Sequence, residues 1–140
     1  MRFLLIKAQD IKEISLALLD QDQGSGFPKL VFESKTTAQP EEYLKEISLA
    51  VREWGIGFEE LSGVIVVTGP GSFTSSRVSL TIANTIGFTH GLPIVPIENN
   101  NHLKIKELIM NLDLNDLPQV NTFAQPTYNQ PPQIGGKKMD

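Results

Sequence analysis

The residues best suited to chemistry in this sequence lie together in Gly69-Pro70-Gly71-Ser72-Phe73-Thr74-Ser75-Ser76-Arg77, directly after the apolar run Val64–Val67. Two glycines, several hydroxyls and one guanidinium follow a strand-like segment and open a long, weakly charged one. A glycine turn between a strand and a helix aims the helix's first N–H groups outward, which suits a phosphate or carboxylate. Gly69, Gly71, Ser72 and Thr74 are therefore the candidate phosphate loop.

The known glycine motifs can be tested against it. A P-loop needs Lys followed by Ser or Thr after the last glycine, and no Lys lies between Lys45 and Lys104. A nucleophile elbow needs Gly two positions either side of its Ser, whereas Ser72 has Pro70 and Thr74 there. A dinucleotide fingerprint has its first two glycines in Gly69 and Gly71, with Glu98 ending the next strand, but Thr74 stands at the third glycine. The simplest alternative is a tight strand–helix turn with Ser72 or Thr74 as N-cap.

Little other chemistry is encoded. His90 and His102 lie twelve residues apart with no His-x-x-x-His pair, so no metal centre is expected. Glu41, Glu42, Glu46 and Glu53 fit the wet face of a helix, and Glu59 and Glu60 fit a surface turn. Arg77 suits either carbonyl bonding within the fold or a fixed contact at a subunit interface. No catalytic residue is assigned.

The elements that must position the loop are legible from periodicity. Phe3–Ile6, Ile14–Leu19 and Lys29–Ser34 read as three strands in series, an antiparallel meander. Pro40 opens a helix to Trp54, with Tyr43, Leu44, Ile47, Val51 and Trp54 on one face and Gly55 and Gly57 beyond its end. Val64–Thr68 is a buried strand, Phe73–Thr89 a second helix stopped by Gly91-Leu92-Pro93, Ile94–Ile97 a last strand, and His102–Leu112 a final helix. The order β-β-β-α-β-α-β-α predicts an α/β, ribonuclease-H-like single lobe with a mixed sheet, half of the actin-like ATPase architecture. A Rossmann domain would alternate β and α from the start. Residues 1–117 form the expected lobe. From Pro118 to Asp140 the chain is rich in Pro, Gln, Asn and Gly and reads as a disordered tail.

The whole chain sets further bounds. Its 140 residues carry 12 Lys and Arg against 16 Asp and Glu, a net charge of −4 that argues against direct strong nucleic-acid binding. There is no cysteine, which removes disulfides and thiolate chemistry. The first apolar run is too short for a signal peptide and no stretch reaches a membrane span, so a cytoplasmic protein is expected.

Gly69-Pro70-Gly71-Ser72-Phe73-Thr74, with Arg77 and Val78 after it, resembles the Gly-Pro-Gly-Ser-Phe-Thr-Gly-Leu-Arg motif of the bacterial TsaB (YeaZ) family. Ile82-Ala83-Asn84-Thr85-Ile86-Gly87, Gly91-Leu92-Pro93-Ile94-Val95-Pro96-Ile97 and Phe58-Glu59-Glu60-Leu61 resemble the family's flanking segments. The resemblance covers roughly residues 1–110, about the first half of a usual member. It implies a non-catalytic platform in threonylcarbamoyladenosine modification of tRNA beside the anticodon. It also implies a TsaD-like partner subunit that carries the metal, a TsaE-like ATPase that engages the pair, and homodimers in isolation. The partner face expected on the two main helices comprises Tyr43, Ile47, Val51, Trp54, Ser75, Arg77, Val78, Ile82 and Ile86. No cofactor is expected.

The sequence departs from that family at three places. Ala8 stands at the acidic position of the first turn, with Asp10 two residues on. Ser75 and Ser79 replace two glycines of the motif helix, and only one of the two lobes is represented. The alternatives are a weak nucleotide-binding domain using Gly69–Thr74, and a degenerate or partial gene product.

Overall fold

A computed structural model describes residues 1–22, 26–120 and 123–125. Five strands form one mixed sheet: β1 (Arg2–Lys7), β2 (Glu13–Asp20), β3 (Lys29–Thr37), β4 (Gly63–Gly69) and β5 (Ile94–Glu98), in the order β3-β2-β1-β4-β5. β1 pairs antiparallel with β2, and β2 with β3, while β4 is parallel to both β1 and β5. The expected ribonuclease-H-like α/β lobe is the fold observed.

The alternation of side chains along the sheet explains its two layers. Leu4, Ile6, Leu16, Leu18, Val64 and Val66 face one side, where α1 (Tyr43–Glu53) and α2 (Phe73–His90) supply Tyr43, Ile47, Val51, Leu80, Ala83 and Ile86. Phe3, Leu5, Ala17, Leu19 and Ile65 face the other, covered by the short helix α3 (Ile105–Leu108) with Ile109 and Leu114. The central strand β4 is buried from end to end. It carries the glycine turn out of the sheet between two fixed layers.

Local chemistry sets the boundaries. The first turn expected of α1 is a 3-10 turn, Pro40–Glu42, in which the Glu42 carboxylate accepts from the Gln39 N–H at 2.8 Å. Gly55 (φ 73°) and Gly91 (φ 65°) take the left-handed conformation that ends α1 and α2. β3 runs on to Thr37, three residues past the expected end. The helix expected over His102–Leu112 is shorter. The Asn99 side chain accepts from the Leu103 N–H at 2.9 Å and donates to the Leu103 carbonyl at 2.9 Å, holding 99–103 as a turn. The helix therefore starts only at Ile105 and passes into a 3-10 turn at Ile109–Asn111. Of the tail expected from Pro118, residues 121–122 and 126–140 lie outside the described residues, while Ala124 is 7% exposed against α2. Among the described residues no helix is long and apolar enough to cross a membrane.

Candidate functional site: the glycine turn and helix α2

Gly69 leaves β4 with φ 125°, and the Gly69–Pro70 peptide is cis. Ser72, not Thr74, is the N-cap of α2: its Oγ accepts from the Ser75 N–H at 3.4 Å and donates to Ser75 Oγ at 3.2 Å. The turn is closed from behind by the β1–β2 connection. The Ser72 N–H donates to the Gln9 carbonyl at 2.7 Å. A Cβ on Gly71 would stand 2.2 Å from that same oxygen, so the second glycine is required by the close approach of two backbones.

Gln9 is 1% exposed and Asn99 2%, and together they form a buried amide junction. Gln9 Nε2 donates to the Pro70 carbonyl at 2.6 Å and to the Asn99 carbonyl at 3.1 Å, while Asn99 Nδ2 donates to Gln9 Oε1 at 2.6 Å. The Asn99 N–H donates to the Gly69 carbonyl at 2.9 Å. Gln9 and Asn99 thus hold the turn at three points, Pro70 through the Gln9 side-chain amide and Gly69 and Ser72 through main-chain groups. Sequence reasoning passed over both residues. The trace of Asn99 was a run of amides, Asn99 to Asn101, at the end of a strand, where Asn commonly closes a turn.

Asp10, the carboxylate that follows Gln9, serves elsewhere. Ala8 is buried in the core layer under the helices. Asp10 meets Lys7 at 3.6 Å and His102 at 3.4 Å on the opposite side of the sheet. These three line a cleft of about 390 Å³ whose walls also hold Glu13, Lys35 and Lys104, both signs of charge mixed. His90 stacks on Phe58 at 5.3 Å, away from His102 in chain and element. Among the described residues no group of three or more His, Cys, Asp or Glu could hold a metal ion.

The residues expected to form a partner face divide into two sets. Tyr43, Ile47, Val51, Ser75 and Ile86 are buried within the lobe, so a partner does not reach them here. The lobe's own sheet takes up the apolar stripe that a partner was expected to cover. Trp54, Val78 and Ile82 are half-buried against the same core, and Trp54 stacks on Phe32 at 5.9 Å. Arg77 lies on the outward face of α2 with its guanidinium 4.8 Å from the Phe73 ring centre. The outward stripe holds two residues the sequence reading had not singled out, Phe73 (60% exposed) and Phe88 (65%). They are fifteen residues apart, about 22 Å along a helix.

Comparison with known proteins places this geometry. The family model for TsaD, tRNA N6-adenosine threonylcarbamoyltransferase, matches residues 37–121, which span α1, β4, the glycine turn, α2 and β5. The chain belongs to the TsaD family. Two threonylcarbamoyltransferases to which it is similar are that of Rhodopseudomonas palustris (strain HaA2), 35% identical over 85 residues, and that of Bradyrhizobium diazoefficiens, 42% identical over 62 residues. The first alignment covers 60% of this chain and 23% of the relative, the second 44% and 16%. The chain thus spans about a quarter or less of the length of the curated relatives it matches. Among solved structures, YeaZ from Pseudomonas aeruginosa superposes with a TM-score of 0.58 at 17% identity, over 71% of this chain and 45% of YeaZ. That likeness is one of fold, whereas the sequence match is to the threonylcarbamoyltransferase family.

Proposed function

We propose that this chain acts in threonylcarbamoyladenosine modification of tRNA as a TsaB-like, non-catalytic platform that binds a TsaD-like subunit through α2. The observation that carries this reading is the outward stripe of α2. Exposed Phe73 and Phe88 flank Arg77 on an 18-residue helix whose only other ionisable side chain is His90. Aromatic residues and Arg are the types enriched at protein interfaces, and charged residues are depleted at their centres. The glycine turn supports the same reading, because its backbone is engaged by Gln9 and Asn99 and its rigidity serves to aim α2. On this reading the chain self-associates through the same stripe when alone, a TsaE-like ATPase engages the pair, the site is cytoplasmic, and the chain itself needs no cofactor.

The test is co-elution of the full chain with a full-length threonylcarbamoyltransferase from one of the related bacteria. A stable pair with the wild type that is lost with Phe88→Glu is expected. Separate elution of the wild type would overturn the platform reading. The nucleotide-binding alternative is tested by calorimetric titration with ATP or ADP and Mg²⁺, where no binding heat at millimolar nucleotide is expected.

A further inference from the structure

Residues 123–125 lie in the seam between α2 and β5, the edge strand of the sheet. Asn84 reads the backbone of a single residue there. The Ala124 N–H donates to Asn84 Oδ1 at 2.8 Å, and Asn84 Nδ2 donates to the Ala124 carbonyl at 3.2 Å. This is the hydrogen-bond pattern of a one-residue bridge, made by a side chain in place of a strand. The Ala124 methyl is buried in the core layer beneath the helices, while Phe123 remains 54% exposed beside it.

The segment is walled on both sides. Thr81, Thr85 and Phe88 of α2 flank it across a groove of about 440 Å³, and Pro96 and Ile97 of β5 flank it across one of about 310 Å³. Thr81 and Phe88 share the outward stripe with Phe73 and Arg77, since helical positions spaced by three or four lie on one face. A second helix packs with its axis only about 8–10 Å away. The Phe123 ring beside Phe88 stands in the path of a helix seated on that stripe.

We propose that residues 123–125 form a displaceable strap that guards the outward face of α2, so that a partner and the strap compete for it. Among the described residues the hold consists of one buried methyl and two hydrogen bonds to one amide. Two neutral hydrogen bonds support a docking preference on the order of tenfold. A partner that gains the Phe73–Phe88 stripe can displace a contact of that size. This competition rests on the platform reading, whereas the strap itself does not.

Two variants of the full chain separate the two. Asn84→Ala removes the receptor and leaves a good helix former at that position. Ala124→Pro removes the donated N–H and leaves α2 untouched. In the wild-type chain the Ala124 amide is expected to exchange about tenfold more slowly than in Asn84→Ala, in line with the two bonds lost. Equal exchange in the two chains would overturn the strap. Both variants are then expected to bind the full-length threonylcarbamoyltransferase up to about tenfold more tightly than the wild type. Unchanged or weaker binding by both would overturn the competition. Absence of binding by all three chains, with Ala124 still protected in the wild type, would overturn the platform reading and the competition while upholding the strap.

Discussion

Replacing Gln9 by Ala tests whether the glycine turn is held by neutral amides. The substitution removes one hydrogen bond to the Pro70 carbonyl, one to the Asn99 carbonyl and one from Asn99 Nδ2. Asn99 Nδ2 keeps the Leu103 carbonyl as an acceptor and the Asn99 carbonyl keeps the His102 N–H as a donor, so the group left stranded is the Pro70 carbonyl. Each buried acceptor left without a donor costs about 1–3 kcal/mol, with the lower half of that range applying where water enters the vacated space. The expected loss is roughly 1–3 kcal/mol, a sizeable part of the about 5–15 kcal/mol that stabilises a domain of this size. Urea unfolding of Gln9→Ala, Asn99→Ala and the double variant measures it. Because the two side chains share bonds, the double variant is expected to lose less than the sum of the singles, with a coupling of about 1–2 kcal/mol. A single-variant loss below about 0.5 kcal/mol, or additivity within about 0.3 kcal/mol, would refute the junction as the element that fixes the turn.

Further outcomes follow from the same contacts. Gly71→Ala drives a methyl into the Gln9 carbonyl and is expected to cost about 2–4 kcal/mol in the same unfolding assay, from overpacking and the strained Ser72 bond. Ser79→Gly restores a glycine of the resembling motif. It is expected to cost about 1 kcal/mol, since the fully buried Ser79 hydroxyl donates to the Ser76 carbonyl of its own helix. Phe32→Ala removes the stacked partner of Trp54 and is expected to lower stability by about 0.5–1.5 kcal/mol and shift Trp54 fluorescence to the red. Val78→Glu and Ile82→Glu are expected to unfold the chain partly before they report on any partner, because both side chains pack against the core. Denaturation midpoints distinguish that outcome from a specific loss of binding.

Much of the fold was legible because its signals are local. Short apolar runs marked β1 and β2, Pro40 and Gly55 bracketed the first helix, and Gly91 ended the second. The antiparallel meander of the first three strands then followed from their short connections. What sequence could not supply was the destination of each apolar face. The stripe Tyr43, Ile47, Val51 announces that something covers it, and periodicity is silent on whether a sheet or a partner does. The outward residues Phe73 and Phe88 were hidden for the converse reason, since on a helix with so few charges they fit no simple polar face. Gln9 and Asn99 were missed because their partners lie 61 and 90 residues away and are mostly backbone carbonyls, which leave no mark in composition. The turn's glycines, read first as a phosphate cradle, answer to that same backbone approach at Gly71.

The central claim is that α2 is the partner face, and hydroxyl-radical footprinting of the full chain with and without the full-length threonylcarbamoyltransferase tests it most directly. Phe73 and Phe88 oxidise readily when exposed, and Phe27 and Met110, both exposed away from α2, serve as internal controls. The account predicts that Phe73 and Phe88 are protected in the mixture while Phe27 and Met110 are unchanged. Protection of Met110 or Phe27 with Phe73 and Phe88 still oxidised would place the partner elsewhere and contradict it.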